Sequence, residues 1–473
     1  MALPDSYLTK TLSASNRKTW TYSTWIKSTQ PRRADTQTLF GSAYTSNSAN
    51  FMYLHLTADQ EIGINGYTSS SLVINLKTTR KLLDTTSWYH LVFRCDTTQA
   101  TEADRFRIYV NGVQQTDLAT STYPSQNTDL GISAGVAHCI GEFTGLARKF
   151  GGYMAHTHFA DGQSYAPSTF GQADSTTGEW EPILSPSVTY GTNGFFLKFE
   201  NSGAMGTDSS GQSNTWTVNG NLKQSVSTPS NTFATLDEWA HGYNHKVGFG
   251  GTGLLSYANA AVSMPSFPMV SDGKWYVEFK SETDHAGSTN YYVGMVMNGQ
   301  RAMYMGQVYT GGSSIIGKDS TGNGGGGFCY KPNLSTPVIT FNNSDTNYGT
   351  QASANDIIMM AVDINGDSSK VWFGRNGTWF NAPGTSNAGD PANGNYPGLS
   401  FTQRGEFWGV AISSSDNAAN NSTKETYINF GEGRFGTTAV SSANADGAGL
   451  GSFEYAVPSG FYSICTKNIK NYG

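Results

Sequence analysis

The chain has 473 residues, enough for two or three domains of ordinary size, a formal net charge of -6 and only 14% charged residues. Such a balance argues against nucleic acid as a partner, because displacing counterions from phosphates takes clustered positive charge. No apolar run approaches the roughly 18 residues of a membrane-spanning helix. The opening "MALPDSYLTKTLS" also lacks the basic and apolar regions of a signal peptide, so the sequence reads as a soluble protein made in a reducing compartment, without membrane insertion. Cys95, Cys139, Cys329 and Cys465 have no CxxC spacing and read as free thiols buried as small apolar groups. Plentiful Gly, Tyr, Phe and β-branched residues point to an all-β chain, since these supply turns and pleated surfaces.

In chain order, short apolar alternations end in Gly, Asn, Asp or Ser, and none has sustained helical periodicity. Thr19 to Ile26, "TWTYSTWI", alternates loosely. Trp88 to Arg94, "WYHLVFR", places Tyr89, Leu91 and Phe93 on one face and Trp88, His90 and Val92 on the other. Arg105 to Val110, "RFRIYV", points Phe106, Ile108 and Val110 one way, and Asn111-Gly112 then predicts a two-residue hairpin with φ > 0 at both positions. Further on, "GGYMAHTHFADGQSYAPSTFG" (Gly151 to Gly171) holds two histidines one residue apart.

The order "WTYSTWIKS", "LFGS" at Leu39, "WYHLVFRCD", "RFRIYVNGV" and "GGYMAHTHFADGQSYAPSTFG" resembles a laminin-G-like, concanavalin A-like domain over most of residues 1–200. The resemblance implies a jelly roll of two antiparallel sheets. Residues 201–235 are rich in Gly, Ser and Asn and read either as a linker or as a closing strand at Thr215 to Val218.

Residues 236–473 carry a second set of strands. "GKWYVEFKSE" places Trp275, Val277 and Phe279 on one face, and "NYYVGMVMN" is apolar on both, as a central strand is. "DIIMMAVDINGD" reads as a buried strand ending in a turn. "KVWFGRNGTWF" predicts a hairpin about Asn376-Gly377, with Arg375 facing Thr378 and Gly374 facing Trp379. Together with "YINFGEGRF" these segments resemble a SPRY-type β-sandwich, so the expected fold is two antiparallel β-sandwiches. "FEYAVPSGFYSICTKNI", with "DSSGQSNTWTVNGNL" and the His-containing segment, resembles virion proteins of tailed, marine and cyanobacterial phages. "FEYAVPSGFYSICTKNI" would be a closing strand.

Chemistry is sparse. The carboxylates of concanavalin A-like glycoside hydrolases lie at alternate positions on one strand. The nearest approach here, Glu179-Trp180-Glu181-Pro182, sits in a Gly/Pro loop. "GNGGGGF" (Gly322 to Phe328) lacks the Lys-Ser/Thr of a phosphate-binding loop and reads as a flexible loop. Laminin-G-like domains often bind Ca²⁺ through loop oxygens. That makes Asp208, and Asp363 with Asn365 and Asp367, calcium candidates, although Asp-Gly and Asn-Gly runs also arise simply as turns. Most tryptophans sit in strands and read as core. The glycan-stacking candidates are those in polar turns: Trp216, Tyr309 and Trp379.

His156 and His158 have three readings: an iron-binding His-x-His on a threefold axis, two zinc ligands on one strand face, or residues on a partly solvated face. The third is preferred. Strict alternation would place Met154, His156 and His158 on one face and Tyr153, Ala155, Thr157 and Phe159 on the other.

The expectation is a non-enzymatic phage virion protein, a tail-fibre or spike-type adhesin for host-surface glycan. The alternative is a capsid decoration or head-fibre protein, and the distant one a polysaccharide depolymerase. A cellular lectin-like adhesion protein is disfavoured by the missing signal peptide. Expected partners are other virion proteins, host polysaccharide and further copies of the chain, a trimer among them. There are no coiled-coil heptads or shaft repeats, which weakens the long-fibre version.

Overall fold

The computed structural model describes residues 6–30, 34–42, 50–143, 148–175, 178–237, 245–256, 262–282, 290–297, 316, 326–381, 388–402, 406–415 and 424–473. The chain divides into two compact units, residues 2–224 with 228–230, and residues 225–227 with 231–473. Each is an antiparallel β-sandwich.

In the first unit an eight-stranded sheet runs Leu118–Thr122, Ser71–Lys81, Glu61–Thr68, Phe51–Leu56, Gln37–Ser42, Ala137–Ile140, Tyr7–Thr11 and Thr217–Asn219. A six-stranded sheet runs Phe195–Leu197, Gly152–Asp161, Thr19–Ser28, Tyr89–Asp96, Phe106–Val110 and Val113–Gln114. Alternation explains the layering. Trp20, Tyr22, Phe93 and Phe159 of the smaller sheet meet Phe40, Leu54 and Ile64 of the larger in one core. Tyr22 stacks on Phe40 with ring centroids 4.6 Å apart. Burying each such side chain contributes about 1.5–3 kcal/mol.

The passage 201–235 supplies the closing strand Thr217–Asn219, which pairs with Tyr7–Thr11. It starts two residues later than the sequence suggests, because Trp216 turns into the core just before it.

The second unit has a seven-stranded sheet: Thr235–Leu236, Val262–Phe267, Trp408–Ser415, Asn290–Met297, Gly327–Lys331, Val338–Phe341 and Ser344–Asn347. Its other sheet runs His245–Gly248, Gly253–Ser256, Lys424–Asn429, Gly273–Ser281, Ile357–Ile364, Ser369–Arg375 and Thr378–Trp379. Leu399–Phe401 and Tyr462–Ser463 pair beside it. Trp275, Val277 and Phe279 face the core as alternation requires. Asn290–Met297 is central, with Val293 and Met295 buried on one side and Tyr292 and Val296 on the other.

Two expectations are corrected. Gly327 and Phe328, read as part of a flexible loop, begin a buried strand, because Phe328 packs on Trp408 and Phe401. The stretch from Phe453 to Ile469 contributes only the two-residue strand Tyr462–Ser463 and part of the helix Thr466–Tyr472. It crosses the outer face of the nine-stranded sheet, where Phe453 and Phe461 pack with Tyr276 and Trp372. The four cysteines are buried and unbridged.

Candidate functional site

The His-x-His strand does not alternate strictly. Ala155 pairs with Trp25 and His158 with Ser23, so His156 and Thr157 together oppose Thr24. This is a β-bulge, and His156 sits at φ 45°. The extra residue lets Met154 and Phe159 pack against the same core, although alternation places them on opposite faces. Thr157 turns inward, its Oγ1 2.8 Å from that of Thr24.

His158 points outward yet is 1% exposed, which corrects the expectation of a partly solvated face. The cover comes from later chain. Phe196 stacks on the imidazole at 3.9 Å, and the Tyr190 hydroxyl lies 2.9 Å from Nδ1. On the same face Trp180 donates from Nε1 to His90 Nδ1 (2.9 Å). That bond leaves the proton on His90 Nε2, which donates to Ser23 Oγ (2.8 Å). Trp25 stacks on His90 at 4.8 Å. Gly171 makes room for Trp180, since a Cβ there would lie 2.6 Å from Nε1. Burial lowers the His90 pKa to about 3, holds that of His158 well below its ordinary value and lowers that of His156. His90 and His158 are neutral struts that hold Phe170, Trp180 and Tyr190 over the six-stranded sheet. Glu179 and Glu181 flank Trp180, which lies in the short strand Trp180–Pro182 and not in a loop. Glu181 accepts from Gln172 Nε2 (3.0 Å).

Of the calcium candidates, Asp363 lies at the end of the strand Ile357–Ile364, while Asp208, Asn365 and Asp367 lie in loops or turns. Asp208 Oδ1 accepts from the backbone N–H of Phe196 (2.9 Å) and Ser210 (2.8 Å), and Oδ2 from Ser210 Oγ (2.8 Å) and the Asn214 N–H (2.7 Å). Four donors around one carboxylate build a loop. Asp363 pairs with Lys274 Nζ at 3.4 Å. Asn365 donates its N–H to Ser369 Oγ (3.0 Å), and exposed Asp367 lies in the following turn, Gly366–Ser368. Among the described residues no group of three or more His, Cys, Asp or Glu is placed to hold a metal.

Of the glycan candidates, Trp216 is 2% exposed and packs edge-on against Phe195 at 4.9 Å. It is core, not a ligand platform; its polar neighbours in sequence concealed its partners. Tyr309 lies outside the described residues. Trp379 is half-buried, opposite Gly374 as the hairpin requires and edge-on to Tyr276 at 6.2 Å.

One aromatic escaped the sequence reading. Tyr396 is 57% exposed and has a φ of 52°. Its loop is braced throughout. Asp390 and Asn395 exchange backbone hydrogen bonds (3.2 and 3.0 Å), and Trp372 Nε1 donates to Asn395 O (2.7 Å). Lys370 Nζ donates to Gly394 O (3.1 Å), and Gly398 N to Val371 O (2.8 Å). The Asp390 carboxylate accepts from Asn393 Nδ2 (2.8 Å) and Asn395 Nδ2 (3.4 Å), and the Asn393 side chain in particular holds its pKa below the usual range. The only signal in "GDPANGNYPGLS" was a Tyr inside a turn-forming run.

No curated protein matches this chain. Among solved structures it is similar to a heptameric SAP-like pentraxin from Limulus polyphemus (15% identity, 40% of this chain and 91% of that one, TM-score 0.27). It is also similar to the SPRY domain of human HERC1 (12% identity, 39% and 91%, TM-score 0.25). A further human SPRY domain is similar at 12% identity (39% of this chain and 94% of that one, TM-score 0.24). Residues 4–163 match the family model Laminin_G_3, described as the concanavalin A-like lectin/glucanases superfamily.

Proposed function

We propose that this chain is a non-enzymatic, carbohydrate-binding structural protein of a tailed-phage virion, of the tail-fibre or spike adhesin type. The observation that carries the carbohydrate reading is the match of residues 4–163 to a lectin-type family. The virion reading is supported by the phage-like segments Gly151 to Gly171 and Phe453 to Ile469. Its partners are then other virion proteins, further copies of the chain, as in a trimer, and host-surface polysaccharide.

A capsid decoration protein is the second reading; the lack of heptads or shaft repeats weakens a long fibre and is compatible with a short spike, an adaptor or a decoration protein. Immunogold labelling of intact particles separates the two: label at fibre tips is expected, and label over the capsid shell overturns the adhesin reading. Incubation with host polysaccharide is expected to leave polymer length unchanged. Shortening would establish a depolymerase instead.

A further inference from the structure

We propose that the loop Asp390–Gly398 of the second unit is a carbohydrate contact, with the Tyr396 ring as the platform for a hexose face and the Asn393 and Asn395 side chains as hydrogen-bonding partners for its hydroxyls. The proposal rests on the carbohydrate-binding reading and places a contact outside the lectin-type region, residues 4–163.

Backbone and side chain disagree at Tyr396. A φ of 52° suits glycine; an aromatic side chain there is strained against its own backbone. Among the described residues Phe199, Phe249 and the imidazole of His156 share this conformation, and each has a packing partner, Phe196 in the case of His156. Phe199 packs against the first core, and Phe249 meets Tyr427 edge-on at 5.2 Å. The Tyr396 ring has no such contact among the described residues and stands 57% exposed. The braces from Trp372, Lys370 and Val371 hold the strained backbone in place. Strain that persists without packing marks a residue whose use lies outside the folded chain.

The neighbours select the ligand class. Asn393 and Asn395 are exposed, and Asp390 fixes their amide nitrogens and so the direction of their Oδ1 acceptors. Among the described residues of this loop the exposed neighbours of Tyr396 are Asn393, Asn395 and the small Ala392, which offer little apolar area to a protein partner. An aromatic face beside oriented amides matches the C–H face and vicinal hydroxyls of a neutral sugar.

The test compares wild type, Tyr396→Gly and Tyr396→Trp in the full chain, by calorimetric titration with soluble glucan, mannan and galactan and by thermal unfolding. Glycine relieves the left-handed strain, so Tyr396→Gly is expected to keep or raise Tm while binding weakens about tenfold or more; Tyr396→Trp should retain binding. Unchanged affinity in Tyr396→Gly, or a lowered Tm with lost binding, overturns the site and leaves the carbohydrate reading standing. Wild-type protein that binds none of the three polymers overturns both.

Discussion

The two sandwiches turn the same corner with the same two residues, then close their outer faces by different chemistry. Asn111-Gly112 and Asn376-Gly377 are both left-handed at both positions, with φ 47° and 79°, and 49° and 84°. Each Asn also grips the start of the preceding strand. Asn111 Oδ1 accepts from His90 N (2.8 Å) and its own N–H donates to His90 O (2.9 Å). Asn376 does the same with Ile357 at 2.8 and 2.9 Å. The gripped residue marks where the units diverge. His90 goes on to hold Trp180 and the covering segment. Ile357 packs with Tyr427 and Phe435, and the cover of its sheet is held by carboxylates instead. Glu278 accepts from Tyr276 Oη (3.0 Å), Asn429 Nδ2 (3.1 Å) and the backbone N–H of Glu454 (3.0 Å) and Tyr455 (2.8 Å). Asp446 accepts from Ala448, Leu450, Ser463 and Asn468. One unit is thus closed by neutral bases and the other by buried acids.

The largest expected effect follows from the number of donors on Glu278. Glu278→Ala strands two backbone N–H groups, a phenol and an amide beneath the C-terminal segment. The second unit is expected to lose about 3–5 kcal/mol. Glu278→Gln keeps one acceptor oxygen and should lose less. Calorimetry that resolves the two unfolding transitions checks this, and a loss in Glu278→Ala of less than about 1 kcal/mol would show that the carboxylate is not the strut.

Acid should separate the units in the opposite order. A histidine whose folded pKa is depressed contributes stability that is complete above its ordinary value near 6.5 and drains away as pH falls toward the folded value. With the His90 pKa lowered to about 3, falling from pH 6.5 to 4.5 removes on the order of 3 kcal/mol from the first unit. His55 (about 3), His138 (about 4) and His158 add to the loss. Burial raises the Glu278 pKa, so its contribution is complete below the ordinary carboxylate value and is lost as pH rises through the raised one. The first transition should therefore move to lower temperature far more than the second on acidification. His90→Asn, which keeps an acceptor for Trp180 without a titrating ring, should remove part of that shift.

Residues whose role is settled by their own neighbours in the chain were legible. Asn-Gly needs only local backbone sterics, so both hairpins and the Arg375–Thr378 pairing follow from the sequence. Trp275, Val277 and Phe279 follow from period-two alternation. Residues whose role is settled by distant chain were not. The bulge at His156 and Thr157 depends on which residue of Thr19–Ser28 lies opposite, and His158 is buried by Tyr190 and Phe196 from strands and loops that come later. Trp216 looked solvated because its neighbours in sequence are polar, while its neighbours in space are Phe40 and Phe195. Tyr396 carried no periodic signal, since its distinction is a backbone angle set by bonds to Asp390 and Trp372.

The smallest expected effect probes what the two corners share. Asn111→Gly and Asn376→Gly keep the left-handed backbone and remove only the side-chain acceptor, leaving one strand N–H without its partner. Each should cost its own unit about 1 kcal/mol, measured by urea unfolding. The alanine variants also lose tolerance for positive φ and should cost about 2 kcal/mol. If the corner is an independent device, the two units respond alike. A larger loss for Asn111→Gly than for Asn376→Gly would mean that the grip on His90 also orients the imidazole for Trp180, and the excess should then vanish in the His90→Asn background.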